Sequence, residues 1–255
     1  MKLNFKDIPK YCISLKRSAH RRLCVKEEFE KHGMEVDFFD AVDRNDLVLP
    51  ELSTKENTGI YACMLSHLEL MKMALAKGHE AICAFEDDVC LVDDFNERIK
   101  YIESLEGFDF DLFSLGGHFS TDVPGSFIGC CESTQWNHIF KTYAMGGSYG
   151  YIITKKVMEF CVRNLTYMYG IDQFLSDVVY KRFGCFSFVP FLVGCVPCVS
   201  EITGQYWEYK NICYYYNNNR IEDFNEPFVT DATIEADLQK VKDYKIRKKW
   251  EEDNA

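Results

Sequence analysis

The chain has 255 residues, 47% of them hydrophobic, enough to fill the core of one large α/β domain or two small ones. A formal net charge of −11 argues against a nucleic-acid partner, because phosphate binding needs clustered Lys and Arg. No stretch reaches the roughly 18 apolar residues of a membrane span, and residues 1–17 lack an apolar signal core; the expectation is a soluble, cytoplasmic protein with no integral membrane segment.

In chain order, Tyr11 to Leu15 predicts a first strand, followed by a basic turn (Lys16, Arg17, Arg21, Arg22) and a helix through Lys31. Val36 to Val42 predicts a second strand. Glu51 to Asn57 is polar and reads as a loop before a long helix from Gly59 to Lys77, ended by Gly78. In that helix Ile60, Cys63, Met64, His67, Leu68, Met71, Ala74 and Leu75 recur at i, i+3, i+4 spacing, which predicts one buried face. Ala81 to Phe85 is a short continuous apolar run of the kind a buried strand gives, and Glu86, Asp87 and Asp88 stand at its carboxyl end.

Further strands are expected at Phe110 to Leu115, Phe127 to Cys131, His138 to Ala144, Tyr149 to Thr154, and Phe186 to Val193 with Pro190 inside it. Helices are expected at Lys155 to Leu165 and at Asp172 to Phe183, the latter with Asp172 as N-cap. Residues 206–219 read as an aromatic, Asn-rich loop. Residues 220–255 read as a surface helical tail in which Ile234, Leu238 and Val241 keep helical spacing. With no repeat or linker, a single domain over 1–255 is the simpler organisation.

The twelve cysteines are scattered through apolar runs, as at Cys63, Cys83 and Cys161, where a free thiol behaves as a small hydrophobe in a reducing compartment. Cys195 and Cys198 form a lone CxxC with no second pair, and the last histidine is His138, so neither zinc nor redox chemistry is expected there. Asn164-Leu165-Thr166 has the form of a glycosylation sequon, which matters only in a secretory lumen.

The acidic triplet raises the chemical question. Two carboxylates near 4 Å repel by about 4 kcal/mol at an effective dielectric of 20, so three at the end of a buried strand call for a positive partner. The alternative is a solvated acidic turn. Placement favours a site, since ligands of open α/β sheets gather beyond the carboxyl ends of strands.

Four segments then fall into a familiar order: Ile13-Ser14-Leu15-Lys16-Arg17-Ser18 with Arg21-Arg22; Ala41-Val42-Asp43; Gly59 through Cys63 to Leu65-Ser66-His67; and Phe85-Glu86-Asp87-Asp88-Val89. A fifth is Gly150-Tyr151-Ile152-Ile153 with Asp172, followed by Ser200-Glu201-Ile202. In these the chain resembles glycosyltransferase family 25, the group of bacterial lipooligosaccharide β-galactosyltransferases and procollagen galactosyltransferases. Ser14 stands where that family usually has Asn, and Arg44 and Ala62 where it usually has Gly.

The resemblance implies an α/β fold of GT-A type, a Rossmann-like mixed sheet flanked by helices. It implies a metal-dependent inverting transfer of galactose or glucose from a UDP-sugar to a glycan or hydroxylysine-type acceptor, as in lipopolysaccharide biosynthesis. By similarity to the DxD motif, Asp88 is the first choice for Mn²⁺ or Mg²⁺, with Glu86 as second ligand or ribose contact. Leu15, Arg17, Arg21, Ala41, Asp43, Ser66, His67, Glu86 and Asp87 would line the donor site, and Asp172 matches the catalytic base. Read without the resemblance, His67 is a buried core histidine, Asp43 a turn residue, Arg22 a surface charge and Asp172 a helix cap. Asp109, Asp111 and Asp177 are reserve candidates for the base. Two other functions stay open: a catalytically silent sugar- or nucleotide-binding relative, and a metal-dependent phosphoesterase.

Overall fold

The apolar run Ala81–Glu86 is the central feature of the fold, and its side chains alternate between two cores. Ile82 and Ala84 join one hydrophobic cluster, and Cys83 and Phe85 join the other. A strand covered on both faces needs no polar alternation, which is why the run is continuous in sequence. The computed structural model describes residues 2–47, 55–118, 130–166, 170–196, 198–202 and 206–207.

In chain order the elements begin with β1 (Lys10–Ser14), α1 (Ala19–Lys31), β2 (Asp37–Asp40), α2 (Lys55–Ala76), β3 (Ala81–Glu86), β4 (Val89–Leu91) and α3 (Phe95–Ser104). Then follow β5 (Leu112–His118), β6 (Cys131–Ser133), β7 (Ile139–Thr142), β8 (Gly146–Thr154) and α4 (Lys155–Asn164). The last are α5 (Ile171–Phe174), a π-helical turn (Leu175–Val179), β9 (Cys185–Phe188), β10 (Val193–Cys195), β11 (Cys198–Val199) and β12 (Tyr206–Trp207).

Eight strands form one mixed sheet in the order β2-β1-β3-β8-β5-β9-β7-β6. β1 pairs parallel with both β2 and β3, while β8 runs antiparallel between β3 and β5. β5 therefore points the same way as β1, β2 and β3, and their carboxyl ends share one edge of the sheet with the amino end of β8. On one face pack α2, α4 and α5, through Met64, Leu68, Met71, Val157 and Phe174. On the other pack α1 and α3, through Val25, Phe29, Phe95 and Ile99. Phe29 meets Phe85 edge-on with ring centroids 4.8 Å apart. Each such fully buried side chain contributes about 1.5–3 kcal/mol of burial free energy. The mixed sheet flanked by helices is the architecture expected from the sequence.

The structure corrects the expected elements in several places. α2 starts at Lys55, inside the stretch read as loop, because none of Lys55, Glu56, Asn57 or Thr58 bars a helix. Gly59 is set against Ile202, where an added Cβ would lie 2.9 Å from the Ile202 carbonyl oxygen. The expected strand over 186–193 is divided into β9 and β10 around Pro190, which has no N–H for a ladder. β10 pairs instead with β4, outside the main sheet.

The helix expected from Asp172 is capped by Gly170, with Asp172 inside the first turn, and its regular part ends at Val179. α3 and β4 were not expected. Tyr206 and Trp207, read as the start of a loop, pair as β12 with β11. The rest of that loop, the 220–255 tail and residues 127–129 of one expected strand lie outside the described residues. Among the described residues, no helix is long and apolar enough to cross a membrane.

Candidate functional site

The shared strand edge opens into a cavity of about 540 Å³. β1 delivers Ser14 and then Leu15 and Arg17, α1 delivers Arg21, the exit of β2 delivers Ala41, and α2 delivers Ser66 and His67. β3 delivers Glu86, Asp87 and Asp88, and α5 delivers Asp172. All ten of the expected site residues other than Asp43 therefore line one space. Asp43 stands one step back, where Oδ1 accepts the Asn45 amide and Oδ2 pairs with Arg17 at 3.2 Å. The reserve candidates are elsewhere: Asp111 holds Lys156 and the Gly184 amide, and Asp177 pairs with Lys181.

The positive partner demanded by the triplet is Arg21. Its guanidinium lies 2.6 Å from Asp87 and 3.4 Å from Asp88, with all three side chains one-fifth exposed or less. Asp87 also accepts a 2.7 Å hydrogen bond from Ser14. Ser14 is thus more than a replacement for the family's usual Asn, since its hydroxyl fixes the middle carboxylate. Arg22 is structural: it donates to the Ser14 carbonyl and to Asp40, tying the end of β1 to that of β2. Arg44 donates to the Ile202 carbonyl at 2.8 Å, and Arg17 and Ser18 both donate to Glu201. Residues 200–202 are held by these bonds as a strap along the cavity rim.

Glu86 is held by a different set of partners. Burial raises its pKa, but His67, the Ser148 hydroxyl and Arg21 outweigh burial and leave it below the ordinary glutamate value. Ser148 donates to Glu86 at 2.5 Å. His67 is fully buried, as its place on the apolar stripe predicts, and its Nδ1 lies 2.7 Å from the Tyr151 hydroxyl. The stripe itself does more than pack. Met64, Leu68, Met71 and Ala74 enter the core, whereas Ile60 is 37% exposed and it and Cys63 face the cavity.

Asp172 is fixed by two amides: Oδ1 accepts from Gln173 and Oδ2 from Gly147, at 2.8 and 3.2 Å. Gly147 can present its N–H this way because its φ is +74°, a region that other residues rarely enter. Sequence reasoning missed His118, Gly147 and Ser148. His118 was findable, because it ends an apolar strand at the same edge as the acidic triplet. Burial lowers its pKa below the ordinary histidine value, against the pull of Asp172 and Glu86, so its ring is neutral at pH 7. Its Nδ1 lies 2.9 Å from the Tyr149 hydroxyl.

A sequence profile of glycosyltransferase family 25, described as an LPS biosynthesis protein family, matches residues 7–175. The chain belongs to glycosyltransferase family 25. Among curated members, the lacto-N-neotetraose biosynthesis glycosyltransferase LgtB of Neisseria meningitidis serogroup B is 31% identical over 172 residues, covering 59% of each chain. A putative glycosyltransferase of Haemophilus influenzae is 31% identical over 189 residues, 68% of this family 25 chain and 63% of that one. The chain thus spans about six-tenths of the length of the curated relatives it matches. Among solved structures, a glycosyltransferase involved in glycosylation of the major capsid of PBCV-1 superposes with a TM-score of 0.39 at 11% identity, covering 72% of this chain and 82% of that one. A197 from STIV superposes at 0.36 and 10% identity, covering 78% and 92%.

Proposed function

We propose that this family 25 chain is an inverting glycosyltransferase of GT-A type that moves galactose or glucose from a UDP-sugar to a glycan acceptor of the lipooligosaccharide kind. The cytoplasm is its proposed place of action. The observation that carries the reading is the convergence of Arg17, Arg21, the Glu86–Asp88 triplet and Asp172 on one cavity at the carboxyl edge of the sheet.

The donor set fits a hard divalent cation. Asp88 and Glu86 bring carboxylate oxygens to the cavity, whereas Asp87 is committed to Ser14 and Arg21. Asp88 is accordingly the first ligand for Mn²⁺ or Mg²⁺, with Glu86 beside it. When bound, the cation offsets the charge that develops on the departing diphosphate. Arg21 adds a fixed positive charge at the same point. Arg17, 41% exposed and paired with Asp43 and Glu201, can exchange the Glu201 carboxylate for a diphosphate oxygen without losing Asp43.

Asp172 takes the proton of the acceptor hydroxyl. Its two amide donors hold the carboxylate in one orientation, as a positioned base requires. A second reading assigns that proton to His118, whose neutral ring lines the same cavity.

UDP release from a panel of UDP-sugars with Mn²⁺ tests the proposal. Metal-dependent turnover of one donor, lost in Asp88→Asn, supports it; failure to bind or turn over any nucleotide sugar overturns it. Asp172→Asn should keep donor affinity and lose transfer. Transfer that survives in Asp172→Asn and disappears in His118→Gln would move the base to His118.

A further inference from the structure

Lining the same cavity as Asp88 is a group of donors with different chemistry. Cys63 and His67 are one helical turn apart on α2 and project from the same face, and Glu86 ends the adjacent strand β3. One donor atom from each of the three, Sγ, an imidazole nitrogen and a carboxylate oxygen, lies within 4.8 Å of the others. A tetrahedral zinc ion with bonds of about 2.0–2.3 Å holds its ligands roughly 3.3–3.8 Å apart, so side-chain rotations of about 1 Å close the set.

A second observation points to a ligand. His67 Nε2 is fully buried and has no hydrogen-bond partner among the described residues. A buried polar atom left unsatisfied is costly, which favours a partner there. Its nearest acidic neighbour, Glu86 Oε1, is 3.8 Å away, too far for a hydrogen bond and close to the separation that an ion placed between them imposes. The other ring nitrogen is already engaged by Tyr151, the outer contact that orients metal-binding imidazoles and directs the free lone pair at the ion. Ser148 steadies Glu86 in the same way. Burial, and after it the carboxylates of Glu86, Asp172, Asp88 and Asp87, push the Cys63 thiol up, so the nearby charge is one that a cation would offset.

We propose that Cys63, His67 and Glu86 form a zinc site that shares Glu86 with the carboxylate site at Asp88 and differs from it in donor chemistry, with a fourth position open to the cavity. The mixed sulfur, nitrogen and oxygen donors select Zn²⁺ over Mg²⁺ or Mn²⁺, which prefer oxygen alone. The site does not depend on the transferase reading, and its test needs no sugar substrate.

The experiment is a titration of the full chain with Co²⁺ as a spectroscopic stand-in, followed by displacement with Zn²⁺. One equivalent should produce a thiolate-to-cobalt charge-transfer band, displaced by Zn²⁺ but not by excess Mg²⁺. Cys63→Ser should remove the band and weaken binding by about 100-fold or more, since loss of a ligand exceeds the 10–100-fold effect of losing an outer contact. Glu86→Gln should weaken binding with the band retained, and Asp88→Asn should leave both unchanged. Because Cys63 faces the cavity, its serine variant is expected to fold, and its far-UV circular dichroism checks this. Absence of a thiolate band, or a band that persists in Cys63→Ser, overturns the proposal whether or not any UDP-sugar is turned over.

Discussion

Replacing Arg21 by methionine keeps most of the apolar stem of the side chain and removes the guanidinium, with its charge and its N–H donors. Asp87 loses a 2.6 Å ion pair and Asp88 a 3.4 Å one, while Glu86 remains beside them. At 4 Å and an effective dielectric of 20 each attraction is about 4 kcal/mol, and the desolvation of the ions offsets much of it. Stripping one partner from a buried pair costs about 3–5 kcal/mol. These side chains keep 11–20% exposure, so water screens part of the loss and about 2–3 kcal/mol is expected. Urea denaturation at neutral pH measures it. Arg21→Met combined with Asp87→Asn removes a charge of each sign and should recover at least about 1 kcal/mol relative to the sum of the single changes. A single variant within about 0.5 kcal/mol of wild type, or strict additivity in the double variant, would refute the view that Arg21 neutralises the triplet.

Gly147→Ala places a side chain at φ +74° with its Cβ 2.8 Å from the Tyr149 ring, so a loss of about 1–3 kcal/mol is expected by thermal unfolding, with weakened acceptor transfer because the amide that holds Asp172 shifts. His138, lowered by burial to a pKa of about 4, should titrate near that value by NMR rather than near 6.5. Because the folded state resists its protonation, its contribution to stability is complete above about pH 6.5 and is lost as the pH falls toward 4. His138→Asn, which tolerates the φ of 63° found there, should flatten that limb of the pH–stability curve.

How far the sequence revealed this molecule depended on the distance over which each feature is determined. β3 was legible because burial on both faces leaves an unbroken apolar run, and α2 because its stripe has helical period. The helical spacing of Phe95, Ile99 and Ile102 was equally available for α3, but polar residues on its outer side hid it beside the acidic triplet. The break at Pro190 was visible as a proline and misread as an interruption within one strand. The site residues were recognisable as residue types at strand ends, together with the order of the family motifs. What sequence could not supply was their pairing. Arg21 with Asp87, Asp172 with Gly147 and Arg17 with Glu201 join positions that no local pattern connects.

The position of β8 between β3 and β5 also has a consequence for the order in which the chain assembles. β3 registers Lys10 against Cys83 on one side and Ala81 against Thr154 on the other, so both of its neighbours are distant in sequence. Contacts of such long range must first overcome loop-closure entropy, which slows their formation. A chain emerging from the ribosome therefore carries Glu86, Asp87 and Asp88 well before Gly147 and Asp172 exist to complete the cavity wall. The wall that faces the triplet is therefore the last part of the cavity to form, and it closes only when β8 and α5 dock.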